Sequence, residues 1–180
     1  PDLENIPEAP MPEGLEVRPV LPEHYRQIWD AESEAFRDHW GYSEPKEEDY
    51  QQWLNDKAVF QPDLWKVAWD GDQIAGMVRG FIVEQENREY NRKRGWCENI
   101  SVRRPYRRRG LARHLLALVE ERMKVPYVRL TVREGNVPAI TLYRDAGYRV
   151  AERKLGYYRD GETGLVMEKE VGVTPSPETR

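Results

Sequence analysis

The chain has 180 residues, with 28 Lys and Arg against 32 Asp and Glu, and carries a net charge of −4 at neutral pH. That length supports one domain with a sizeable core, and the acidic balance gives no overall pull toward nucleic acid. With no apolar run of about 18 residues, no signal-peptide pattern at the start and a single cysteine, the reading excludes a membrane span and an internal disulfide framework and expects a reducing cytoplasm.

Residues 1–13, rich in proline and glutamate, read as a linker or tail. Leu15 to Val20 alternates and predicts a first strand. A helix is expected after Pro22, with Tyr25, Ile28, Trp29 and Phe36 on or near its buried face. Ser43 is the expected N-cap of a second helix, with Glu47, Glu48 and Asp49 near the positive end of its dipole. Leu64–Trp69, the Asp70-Gly71 turn and Gln73–Val83 give the clearest hairpin signal. Residues 85–95, with Arg88, Arg92, Lys93 and Arg94, predict a polar connecting loop. Strand 96–102, helix 110–124, strand 127–133, helix 136–146 and strand 148–155 follow. An Asp160-Gly161 turn then leads into a last strand at about 164–170, and 172–180 is expected to be a flexible tail.

The most telling stretch joins strand 96–102 to helix 110–124 through Arg107-Arg108-Arg109-Gly110-Leu111-Ala112. A glycine there lets the backbone approach a ligand closely, because no Cβ intervenes. The free N–H groups of the first helical turn point outward, where the helix dipole favours an anion. Strand, basic glycine turn and helix therefore predict a phosphate or pyrophosphate pocket. Neither Gly-x-x-x-x-Gly-Lys-Ser/Thr nor Gly-x-Gly-x-x-Gly occurs, which removes the nucleoside-triphosphate and dinucleotide loops. Arg103, Arg104, Arg107, Arg108, Arg109 and Arg113 bunch in the same window. A solvated basic loop or a nucleic-acid patch are the other readings of that run.

Downstream, Asn136-x-x-Ala139-x-x-Leu142-Tyr143-x-x-x-Gly147-Tyr148 has Asn136 as an N-cap, Pro138 in the first turn and Gly147 placed to stop the helix. Ala139, Leu142, Tyr143 and Ala146 recur at helical spacing. Together, Arg107-x-x-Gly110-x-Ala112 and this second segment resemble the two shared segments of the GNAT N-acetyltransferases, over roughly residues 14–171. The resemblance implies an α/β fold, a mixed and mostly antiparallel sheet with flanking helices and one splayed strand pair. It implies acetyl-CoA as cosubstrate, with coenzyme A phosphates as the partner of the arginine run. Ile100, Ser101 and Val102 would pair with the pantetheine arm. Arg107, Arg108, Arg109, Gly110, Leu111, Ala112 and Arg113 would surround the pyrophosphate, with Asn136 and Tyr143 alongside.

Acetyl transfer from a thioester to an amine needs a base for the amine, a donor for the carbonyl oxygen and an acid for the leaving thiolate. Tyr143 is the candidate acid, set against a packing role at the helix–sheet interface. Glu98 is the candidate base, a carboxylate inside an apolar strand and sharing a face with Trp96 and Ile100 by alternation. A solvated strand-edge glutamate, with solvent as base, is the alternative. Cys97 reads as a packed thiol rather than a nucleophile.

The stretch Leu130-Thr131-Val132-Arg133-Glu134-Gly135-Asn136, with Tyr157-Tyr158-Arg159-Asp160-Gly161-Glu162, resembles the ribosomal-protein and N-terminal α-amine acetyltransferases. Those relatives often carry glutamate where Thr131 stands. Phe36-Arg37-Asp38-His39-Trp40-Gly41 and Pro62-Asp63-Leu64-Trp65 resemble mycothiol-synthase-like proteins, many of them tandem GNAT pairs. The chain is thus expected as a monomer, a homodimer or one half of a tandem protein, acting on a small-molecule or peptide amine. A catalytically inactive, coenzyme A-binding partner domain is the alternative. Glu44, Glu47, Glu48, Asp49, Glu84 and Glu86 read first as solvated acidic surface, and second as a cation-attracting entrance. His24, His39 and His114 lack metal-ligand spacing, and no metal is expected.

Overall fold

The computed structural model describes residues 10–38 and 42–171. Residues 1–9, 172–180 and His39, Trp40 and Gly41 lie outside that description, so most of the expected N-terminal tail, the whole of the C-terminal one and part of the Phe36–Gly41 stretch are not placed. Met11, inside the expected N-terminal tail, already packs against the core.

The hairpin forms where Asp70-Gly71 predicts it, because Gly71 accepts a φ of 60°. It joins β2 (Lys66–Asp70) to β3 (Gln73–Phe81), with Asp70 opposite Gln73 and Val67 opposite Met77. Around this pair a single seven-stranded sheet assembles from β1 (Glu16–Arg18), β4 (Arg94–Val102), β5 (Tyr127–Arg133), β6 (Arg149–Lys154) and β7 (Gly164–Glu170). Its order is β1-β2-β3-β4-β5-β7-β6, antiparallel throughout except for the parallel β4–β5 pair. The mixed, mostly antiparallel sheet is the expected one.

Alternation along the strands makes two cores. On one face, α4 (Leu111–Met123) sinks Leu111, Leu115, Leu116, Val119 and Met123 against Ala75, Val78, Cys97, Val128 and Leu130, and α5 (Val137–Asp145) adds Ile140. Each such side chain contributes about 2 kcal/mol of burial. Gly80 lets α4 come this close, since a Cβ there would lie 2.3 Å from Met123 Cε and 2.9 Å from Val119 Cγ1. On the other face, α1 (Tyr25–Ala35) and α2 (Glu47–Asn55) cover an aromatic core of Trp53, Trp65 and Trp69 with Ile28, Val67, Ile74 and Met77.

Three local expectations are corrected. The second helix starts after Lys46, not Ser43, because the Asp49 carboxylate reaches back to accept from the Lys46 N–H at 2.7 Å. The stretch after β3 holds a short helix, α3 (Glu84–Glu89), rather than an open loop, and the Asn87 side chain fastens it to the Arg94 backbone. The first strand has only three residues, shorter than Leu15–Val20.

Candidate active site

β4 and β5 share backbone pairing only where Arg94, Gly95 and Trp96 face Tyr127, Val128 and Arg129. Beyond that the two strands part, leaving main-chain groups of each directed into the gap, where each needs a partner. A cleft of about 840 Å³ opens there, walled by β4, the start of α4, β5, α5 and the β6–β7 connection. Of the residues singled out from sequence, Glu98, Ile100, Ser101, Val102, Arg107, Arg108, Gly110, Leu111, Ala112, Asn136 and Tyr143 all line it. Arg109 and Arg113 are not on its wall; the Arg113 guanidinium donates instead to the Asp145 carbonyl at 3.2 Å, at the far end of α5.

The turn into α4 is built on two left-handed residues, Arg108 with φ 63° and Gly110 with φ 78°. Gly110, left-handed and followed at once by the right-handed first turn of α4, makes the alternation that turns successive N–H groups toward one side as an anion-binding concavity. The first helical hydrogen bond runs from His114 N–H to the Gly110 carbonyl at 3.1 Å. The amides of Leu111, Ala112 and Arg113 therefore have no acceptor within the helix. Much of the arginine charge has another use. Arg107 donates to the Val102 and Ala35 carbonyls at 2.9 and 3.1 Å, while Arg103 pairs with Glu34 and Arg104 with Asp38. These ties brace the turn against the end of α1. The hydrogen bond from Arg104, joined by one from Arg107, holds the Asp38 carboxyl below its ordinary range.

Asn136 caps α5 as its sequence implies, its side-chain oxygen accepting from Ala139 N–H at 3.3 Å, and Gly147 ends the helix region with φ 100°. This helix carries Tyr143 to the cleft. Burial, helped by Cys97 and Tyr158, pushes the Tyr143 hydroxyl well above its ordinary value. It therefore keeps its proton through the neutral range and is available as a donor. Cys97 is a buried thiol on the neighbouring strand, its proton held by burial, as a packing residue would be.

Glu98 sits in a cluster that the sequence reading missed. Arg79, on β3, donates through Nη1 to Glu98 at 3.0 Å and forks onto Glu32, from α1, through Nε at 2.8 Å and Nη2 at 2.9 Å. Asn99 Nδ2 adds a bond to Glu32 at 2.6 Å. Burial raises the Glu98 carboxyl above its ordinary range; Arg79 opposes that rise, and Glu32 and Asp56 add to it. The signals were present: an arginine inside the apolar run Ile74–Phe81, and a glutamate on the Ile28-Ala31-Glu32-Ala35 stripe of α1.

The shared face expected for Glu98 and Ile100 is corrected. Arg79 pairs with Glu98 and Met77 with Ser101, so one β3 residue opposes two on β4, a bulge at Asn99 with φ 47°. The parity of the strand changes there, and Ile100 packs into the α4-side core instead.

The β6–β7 connection closes one side. Arg133 Nη1 bonds Asp160 and Glu162, each at 2.8 Å, and its guanidinium lies 4.0 Å from the Tyr158 ring centre. Glu162 also accepts from Gly135 N–H at 2.9 Å. Both carboxyls are held below their ordinary range, Asp160 chiefly by the Glu162 N–H and Glu162 chiefly by Arg133. Thr131 lines the same cleft. The acidic residues read as surface stay off it, with Glu44 paired to Arg37, Glu47 to Arg26 and Glu86 to Arg92. Among the described residues no group of three or more His, Cys, Asp or Glu is placed to hold a metal, and no helix is long and apolar enough to cross a membrane.

Comparison with known proteins adds relatives to this geometry. The chain is 35% identical over 113 residues to the N-terminal acetyltransferase B complex catalytic subunit NAA20 of Arabidopsis thaliana, covering 60% of this chain and 63% of that one. It is 33% identical to the N-terminal acetyltransferase A complex catalytic subunit NAA10 of the same plant, covering 60% and 57%. The chain thus spans about three fifths of the length of these relatives. Among solved structures, Arabidopsis thaliana Naa50 in complex with the bisubstrate analogue CoA-Ac-MVNAL superposes with a TM-score of 0.66 at 19% identity, over 87% of this chain and 99% of that one. The family model described as Acetyltransferase (GNAT) family matches residues 25–148, and the chain belongs to that family.

Proposed function

We propose that this chain transfers the acetyl group of acetyl-CoA to the α-amine of a peptide N-terminus by direct attack within a ternary complex. One observation carries the reading: the gap between β4 and β5 has the Gly110 turn at one side and both Glu98 and Tyr143 on its wall. The amides of Leu111, Ala112 and Arg113 would hold the diphosphate, with Arg108 and Arg109 close by. The parted edge of β4 at Ile100, Ser101 and Val102 offers main-chain partners to the amides of the pantetheine arm.

Glu98 is the base. The cleft's other carboxylates, Asp160 and Glu162, are engaged by Arg133 and pulled toward lower proton affinity, whereas Glu98 is pushed toward higher. Thr131 has no ionisable group, so the glutamate common at that place in α-amine acetyltransferases is replaced in role by Glu98 on the adjacent strand. Glu98 takes a proton from the acceptor ammonium and the freed nitrogen forms a bond to the thioester carbonyl carbon. The C–S bond then breaks, Tyr143 gives its proton to the departing thiolate, and the attacking nitrogen sheds its second proton to solvent, from which Tyr143 is reprotonated. The relatives named as N-terminal acetyltransferases support a peptide α-amine as acceptor. The buried, lone Cys97 thiol fits a reducing compartment such as the cytoplasm.

The test is labelled acetyl-CoA offered with two peptides, one with a free α-amine and no lysine, the other N-terminally blocked with an internal lysine. Mass spectrometry should find the acetyl group on the first peptide only. Label on the lysine peptide alone would overturn the α-amine assignment.

A further inference from the structure

Under α1 lie two carboxylates and one guanidinium, with Glu32 and Arg79 buried and Glu98 part-exposed at the cleft. Arg79 is 3% exposed and gives two of its bonds to Glu32 but only one, at 3.0 Å, to Glu98. One carboxylate already neutralises the buried Arg79 guanidinium through a two-bond fork. Here a second carboxylate shares the cation, and that second carboxylate is the one on the cleft wall. The guanidinium has little freedom to turn away, since it lies 5.4 Å from the ring centres of both Trp53 and Trp65. The Asn99 bulge completes the arrangement: its left-handed backbone accompanies an amide bonded to Glu32, while Glu98 stays on the wall.

We propose that Glu32 and Arg79 are positioning residues for the transfer reaction: Arg79 fixes the Glu98 carboxylate on the cleft wall, and Glu32, by taking two of the three bonds that Arg79 makes to the pair, leaves Glu98 only lightly held and so able to act as a base. This rests on Glu98 acting as the base. The charged groups around Glu98 are Arg79 from β3, Glu32 from α1 and Asp56 from the segment after α2, with the neutral Cys97 thiol beside it on β4. Without Glu32, Arg79 would serve Glu98 alone and hold it as a weak, permanently ionised base. Without Arg79, Glu98 would lose its orientation and hold its proton too firmly.

The experiment follows the carboxyl carbons of glutamate-labelled protein by NMR across pH. The Glu98 and Glu32 signals are assigned by their loss in Glu98→Gln and Glu32→Gln. In the parent chain the Glu98 midpoint should lie above the ordinary value of about 4.3, and the Glu32 signal should move at the same pH. In Glu32→Gln, checked for folding by its melting curve, the Glu98 midpoint should fall by about one to two pH units. The acid limb of acetylation of a free α-amine peptide should move down with it. An unmoved midpoint in folded Glu32→Gln overturns the role of Glu32. If that variant does not fold, the Glu98 signal, assigned from Glu98→Gln alone, decides it: a single-step titration at or below about 4.3 in the parent overturns the role of Glu32 equally. A Glu98→Gln enzyme that keeps the parental acid limb overturns the reading of Glu98 as base, which is a separate failure.

Discussion

Replacing Arg79 by methionine keeps most of the side chain's bulk and removes its charge. Three hydrogen bonds of 2.8, 2.9 and 3.0 Å disappear, and Glu32 and Glu98 are left facing each other beneath two indole rings. Leaving a buried charge without its partner costs about 3–5 kcal/mol. For a chain of this size each kcal/mol moves Tm by about 2–4 °C, so Tm should drop by roughly 10 °C. The cost should depend on pH. Burial already lifts both carboxyls against the pull of Arg79, and with Arg79 gone they bind protons more tightly still in the folded chain than in the unfolded one. That contribution is full below the ordinary carboxylate range and is lost as pH rises from there through the raised values of the folded chain. The deficit relative to the parent should therefore be larger at pH 8 than at pH 5. Differential scanning calorimetry at both values measures it. A loss under about 1 kcal/mol, or a deficit equal at the two pH values, would refute the argument that the cluster is charge-unbalanced.

Other predictions concern the cleft. Tyr143→Phe should lower kcat by about 10²–10⁴ with acetyl-CoA affinity unaltered; steady-state kinetics beside calorimetric binding separates the two, and parental kcat would return Tyr143 to a packing role. Asp160 and Glu162 are held below their ordinary range, so the clamp they form with Arg133 is complete above about pH 4 and is lost as pH falls through their lowered values. The Gly135 amide resonance, bonded to Glu162, should hold its position down to about pH 4 and shift only below it. Arg133→Ala frees the connection that carries Tyr158, and should raise the KM for the peptide more than that for acetyl-CoA.

Much of the fold was legible because local chemistry and global architecture agree. Gly71 marks the hairpin, Gly147 ends the α5 region and Gly110 opens α4, each through a left-handed backbone few other residues accept, while Asn136 starts α5 through its side-chain cap. The start of α2 was not legible, because a carboxylate three residues inside the helix outcompeted a serine placed before it. α3 escaped notice because its six residues are polar and it is held from outside, by Asn87 on Arg94. Within the site, the residues lining the gap were readable from their motifs. The Glu32–Arg79–Glu98 cluster was not, since it joins α1, β3 and β4 across 66 positions of sequence and depends on a bulge that alternation cannot foresee. The arginine run was readable as charge, but not as a brace. Only the structure shows which carbonyls and carboxylates those guanidinium groups reach.

Every role proposed for the cleft depends on main-chain amides at the start of α4 receiving a diphosphate. Isothermal titration of acetyl-CoA into the parent chain and into Gly110→Asp tests this most directly. Gly110→Asp adds both a carboxylate beside the anion and a side chain at a left-handed position, which costs about 1–2 kcal/mol in itself, so its melting curve is recorded alongside. Saturable binding to the parent and none to the folded variant is the expected result. Equal affinity in the two would contradict it.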